Sequence, residues 1–226
     1  MPRLDGVREK RHQPFFDTLV RGIGISTVNN LTQLFGNANV GQRALTNLQV
    51  AGVLASDQTY LLKVIRCNMY FQGLNDAGFG LFGNLPDLQV AAAGQNFRAE
   101  DLYQLLCYGT YFQLNVGDKP MFFAPIWYAP AGGGPSGFTT EQARHIITNG
   151  VSSHEAILLM GKDIHVPARQ NFNVTMEFFP FPRLGNGQAV PGPFAADLSP
   201  LDYLNQFDGV KLIQMVVDGV QTRDVQ

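Results

Sequence analysis

The run at residues 171–178 constrains this chain most, because apolar and polar side chains alternate through it without a break. Phe172, Val174, Met176 and Phe178 fall on one side of an extended backbone, and Asn171, Asn173, Thr175 and Glu177 on the other. A helix would scatter those apolar residues around its axis, whereas a strand gathers them on one face. A slip of one residue would bury the polar set and expose the phenylalanines, so the register is strongly specified. Pro180 and Pro182 end the run.

The same reading extends to most of the chain. Residues 59–66 form a strand with Tyr60, Leu62 and Val64 on one face and Leu61, Lys63 and Ile65 on the other. Residues 111–116 alternate again and stop at Gly117-Asp118. The aromatic stretch 121–128 contains Pro125, which marks a bulge or an edge strand. Short strands at 157–160 and 163–166 flank Gly161, and the last strand covers 210–217, ended by Asp218-Gly219. Two long Gly/Pro-rich loops are expected at 73–97 and 183–200. Helical spacing appears over 15–35, weakened by Gly22 and Gly24 and ended by Gly36-Asn37-Ala38-Asn39. A second helix is expected over 140–148, with Thr139 as its cap and Gly150 at its end.

About eight strands without crossover helices exclude a doubly wound α/β fold and favour an antiparallel sandwich or barrel. The expected organisation is an N-terminal arm with a short helical segment over 1–40, then one β domain over 41–226. A chain of 226 residues buries a sizeable core without help from disulfides or metals. Cys67 and Cys107 lie in apolar runs, which reads as two buried thiols, with a disulfide as the open alternative.

Charged residues make up only 15% of the chain, against the usual quarter. Together with 24 Gly and 17 Phe, that points to a surface largely covered by neighbours. The net charge of −2 lacks the positive field of a dedicated nucleic-acid binder. No apolar run reaches membrane-spanning length, and the start lacks a secretory leader, so synthesis in a cytoplasm is expected.

Few residues stand in patterns that point to chemistry. His12, His145, His154 and His165 show no metal-ligand spacing, and the two cysteines form no zinc pattern, so no metal or cofactor is expected. Glu141 and His145 would stand one helical turn apart, which reads as a surface pair. Gly134-Pro135-Ser136-Gly137 lacks nucleophile-elbow spacing, and Gly22-Ile23-Gly24 lacks the third glycine of a dinucleotide fingerprint. The carboxylates are scattered, so neither a glycosidase pair nor any other catalytic residue is nominated.

Residues 1–14 carry Arg3, Arg8, Lys10 and Arg11 against Asp5 and Glu9. Two readings stay open for this arm: a solvated tail, or contact with an anionic surface such as packaged genome or phospholipid head groups.

The pattern as a whole resembles a known family. A basic arm precedes strands and long Gly/Pro loops, followed by residues 161–174 (GKDIHVPARQNFNV) and the closing residues 217–226 (VDGVQTRDVQ). Over most of residues 45–226 this is similar to the jelly-roll capsid proteins of icosahedral bacteriophages, particularly those with an internal membrane. The resemblance implies a single eight-stranded antiparallel jelly roll, self-assembly into a shell, and location in the virion. Its partners would be copies of itself and other capsid proteins, with the arm turned toward nucleic acid or an internal membrane and no small-molecule substrate. Phe79, Phe82, Leu85 and Phe194 in the long loops would then be covered by neighbouring subunits. The alternative is a receptor- or carbohydrate-binding module of a spike or fibre, using Trp127 and Tyr128 beside the 131–135 loop.

Overall fold

A computed structural model of the chain describes residues 8–21, 31–36, 42–48, 50, 52–73, 88–90, 95–97, 103, 106–139, 145–151, 153, 158–179 and 209–224. In chain order the strands are β1 (Arg8–His12), β2 (Phe15–Arg21), β3 (Leu31–Leu34), β4 (Gln58–Gly73), β5 (Leu88–Val90), β6 (Gln95–Phe97) and β7 (Thr110–Val116). They continue with β8 (Lys119–Pro125), β9 (Ser136–Thr139), β10 (His145–Thr148), β11 (Leu158–Val166), β12 (Phe172–Phe178) and β13 (Gly209–Asp224).

All strand pairs are antiparallel. The spine of the first sheet is β4 against β13, two strands of 16 residues each that pair from Gly73↔Gly209 to Gln58↔Arg223. Strands this long offer room for two neighbours on each outer edge. β13 takes β2 along 211–217 and β1 along 220–224, while β4 takes β11 near 60–65 and β10 along 70–73. β9 extends the sheet beyond β10. The second sheet runs β3-β12-β7-β8. The pairing is also nested in sequence: β2 with β13, β3 with β12, β4 with β10 and β11, and β7 with β8.

The two sheets face each other in a sandwich-like arrangement over one core. Phe172 of β12 approaches Phe15 of β2 with ring centroids 6.0 Å apart, and Phe35 at 5.4 Å. Phe112, Leu114, Val174 and Met176 of the second sheet are buried with Leu62, Ile65, Met69 and Met215 of the first. Burying these side chains supplies the main driving force for folding. The alternation expected over 171–178 holds: Phe172, Val174, Met176 and Phe178 are all buried.

Several expectations are corrected. Residues 8–12 are not an arm outside the core but a strand, tied to β13 from Arg8↔Asp224 to His12↔Val220. The helix expected over 15–35 is replaced in the described residues by β2 and β3. The inward set of β2 is Phe15, Asp17 and Leu19, so a polar residue occupies one of its interior positions. Asp17 is only 3% exposed; its carboxylate accepts the Thr18 amide at 2.9 Å and the Phe35 amide at 2.5 Å. An apolar scan skips that aspartate and finds a false helical spacing. The boundary expected near residue 40 therefore has sheet strands on both sides of it.

The helix expected at 140–148 is corrected over 145–148, which form β10. Helix capping loses there to pairing with β4 and β9, favoured by Ile146, Ile147 and Thr148. Residues 140–144, including Glu141, lie outside the described residues. Within the expected loop at 73–97, β5 and β6 form a small hairpin. The strand at 121–128 ends at Pro125, at an edge of its sheet as expected, and residues 126–128 turn as a 3-10 helix. The two strands around Gly161 are one, β11, with a register shift between Leu159 and Ile164. The closing strand continues past Asp218-Gly219 to Asp224.

A bulge at Lys63 overturns the face assignment in β4. Asp218 pairs with Val64 and Gly219 with Leu62, leaving Lys63 as the extra residue. The inward set therefore changes parity, from Tyr60 and Leu62 to Ile65, Cys67, Met69 and Phe71, and Val64 leaves it.

Cys67 and Cys107 are free, buried thiols. Burial pushes both up, Cys67 further under the influence of nearby Cys107; Cys107 rises to about 11, moderated by a hydrogen bond with Tyr103. At pH 8 the thiolate of Cys107 is thus about a hundredfold scarcer than that of an ordinary thiol. Native protein is expected to resist a thiol reagent at pH 8 and to release two thiols in denaturant; rapid native labelling of both would contradict this packing. Raised thiol pKa values also mean that this part of the stability is present below about pH 9 and lost as the pH rises through about 11.

Candidate functional site

At one end of the first sheet, β1 is fastened by charge as well as by its ladder. Glu9 accepts from both Nε and Nη2 of Arg223, each at 2.6 Å, and Arg11 Nε donates to Gln221 Oε1 at 2.5 Å. Asp218, at the bulge, meets Arg66 Nη2 at 2.6 Å and His12 Nε2 at 2.6 Å. The Tyr60 hydroxyl shares its proton between the Gln13 and Val217 carbonyls at 2.8 and 3.0 Å. Burial, with the Asp218 charge adding to it, pushes that phenol far above the ordinary tyrosine range. The nominated basic residues Arg8, Lys10 and Arg11 are thereby gathered on one terminal strand, where Arg8 and Lys10 are exposed. Arg3 lies outside the described residues, as do the loop residues Phe79, Phe82, Leu85 and Phe194.

The outer face of the second sheet has a different character. Its outward positions include Leu31 and Gln33 on β3, Asn173, Thr175 and Glu177 on β12, Tyr111, Gln113 and Asn115 on β7, and Phe123 on β8. Glu177 alone is charged among these nine, where an ordinary soluble surface would carry two or three charges. Amides form a ladder across it: Gln113 Nε2 donates to Asn115 Oδ1 at 2.6 Å, and Asn115 Nδ2 to Asn173 Oδ1 at 2.9 Å. Beside the ladder Tyr111 stacks on Phe123 at 5.3 Å and meets Phe179 edge-on at 5.2 Å. Phe123, Phe179, Met121 and Leu31 are exposed. This combination suits contact with another protein surface rather than chemistry.

A cleft of about 800 Å³ opens at another place, between the turn after β8 and the segment around residues 130–135 and 149. The turn is fixed to β4, since the Cys67 amide donates to the Ala129 carbonyl at 2.8 Å and Cys67 bridges Pro130. Asn149 is locked on the far side: its carbonyl accepts the Gly134 amide at 3.1 Å, and its side-chain Oδ1 accepts the Met69 amide. Tyr103 and Cys107 line the wall with Met69, Ile126 and Ile147. Trp127 lies at the mouth, held edge-to-face on Tyr128 at 5.7 Å. Both residues nominated as an exposed aromatic pair are therefore exposed together. Tyr103, Tyr108 and Asn149 escaped nomination; the Asn149-Gly150 dipeptide marks a turn, but nothing local says that the turn borders a cleft.

Among the described residues no group of three His, Cys, Asp or Glu side chains is placed to hold a metal, and no helix is long and apolar enough to cross a membrane. A scan of protein-family models and a search of curated proteins each return no match for this chain.

Proposed function

We propose that this chain is a structural subunit of an icosahedral virus shell, most similar in design to single jelly-roll capsid proteins of bacteriophages. The nested pairing supports the fold part of this reading. A ribbon whose outermost strands pair with each other, then the next pair and so inward to β7–β8, rolls into two sheets as a jelly roll does. β10 and β11 share one of the eight core positions on β4, and β1, β5, β6 and β9 are additions.

The observation that carries the functional part is the outer face of the second sheet. It is broad, amide-lined and aromatic with a single charge, and amides both donate and accept, so one such face is chemically complementary to another. The protein's partners in this reading are copies of itself and other shell proteins, and its place is the virion. The basic edge of β1, with Arg8, Lys10 and Arg11, would lie toward genome or membrane, a long-range attraction that salt weakens. Catalysis and cofactors play no part in it.

Sedimentation velocity of the purified protein at micromolar concentration tests the proposal. Species many times the 24.8 kDa chain mass are expected; a lone monomer across salt and pH would overturn it.

A further inference from the structure

We propose that the aromatic cleft binds a neutral saccharide, a role that goes beyond shell building and does not depend on it. Trp127 is 51% exposed yet held by Tyr128, so a large apolar surface is presented with little freedom left to lose on binding. Tyr108, 66% exposed, stands on the same cleft. Sugar rings have apolar faces that stack on such side chains and hydroxyl rims that need hydrogen bonds.

The polar partner is Asn149. It is 8% exposed, and the Met69 amide, which can only donate, fixes its Oδ1. What Asn149 can offer the cleft is Nδ2, which has no hydrogen-bond partner among the described residues. Nδ2 is not among the fully buried unpaired polar atoms, so it meets solvent through the cleft, and a hydroxyl oxygen can take the place of that solvent. A hydrocarbon ligand would leave it unpaired. Among the described residues none that lines the cleft is charged, which disfavours phosphates, nucleic acids and anionic sugars. A neutral ligand with an apolar face and hydroxyl acceptors is what remains.

Trp127 is the chain's only tryptophan, so intrinsic fluorescence reports on this cleft alone. Titration with a panel of neutral hexoses, N-acetylhexosamines and their oligomers is expected to give a saturable emission change for at least one sugar. Calorimetry should then show affinity falling about tenfold in Trp127→Ala and in Asn149→Asp. The second variant keeps the oxygen that receives the Met69 amide and removes the donor. Should Asn149→Asp fold poorly, Tyr108→Ala takes its place, because that exposed side chain contributes little to the core. No response from any sugar up to about 10 mM, or unchanged affinity in the folded variants, would overturn the assignment.

Discussion

Gly219→Ala is expected to destabilise the protein by about 3 kcal/mol or more, a large effect for a single methyl group. The added carbon would lie 2.0 Å from the Leu61 carbonyl oxygen and 3.0 Å from the Leu62 Cα, both backbone atoms that cannot swing aside. Relief requires β13 to separate from β4 at the bulge, where Asp218 also holds Arg66 and His12. A loss of roughly 6–12 °C in Tm should follow for a chain of this length. Gly161→Ala is the control, because its methyl group would meet nothing within 4 Å. Thermal and denaturant unfolding of the two variants decide the matter. Equal stabilities would mean that the bulge is not packed as described.

The second large effect concerns association. Gln33→Lys combined with Gln113→Lys places two cations on either side of Thr175 in the centre of a sheet face whose outward positions named above carry one charge, Glu177. Repeated by symmetry across an interface, they set like charges against each other, at a cost of several kcal/mol. Assembly is expected to fall more than a hundredfold, read as a shift from large to small species at fixed concentration. The fold should change little, since both side chains point outward and surface substitutions typically alter stability by about 0.5 kcal/mol. Loss of the Gln113–Asn115 hydrogen bond is a minor addition. Variants that assemble as the wild type does would remove this face from the interface.

How far the sequence carried depended on whether interior positions were apolar. β12 was legible outright, because every inward residue is hydrophobic and every outward one polar. β2 was not, because Asp17 takes an inward position to satisfy backbone amides, and that debt belongs to the tertiary structure. β4 was half legible: Tyr60 and Leu62 follow the alternation until Lys63 is extruded, and only the partner strand reveals the shift. β10 shows the opposite failure. A capping pattern is a local preference, worth about a kilocalorie, and an edge of β4 waiting for hydrogen bonds outweighs it. β1 resisted for a similar reason, since a short charged segment has no apolar pattern and is held by Glu9–Arg223 and His12–Asp218 pairs.

The candidate surfaces divide in the same way. The amides of the outer face were visible as the polar half of two alternating strands, although not their ladder across strands. Trp127 and Tyr128 stood out as exposed aromatics, but the cleft also draws on residues from 69 to 149, which only the fold brings together.

A reconstruction of the protein in its assembled form by electron cryomicroscopy would show whether this chain builds a shell and through which face. A closed, symmetric shell is expected, in which the outer face of the β3-β12-β7-β8 sheet is covered by a neighbouring subunit. A discrete particle of one or a few chains, with that face open to solvent, would contradict it.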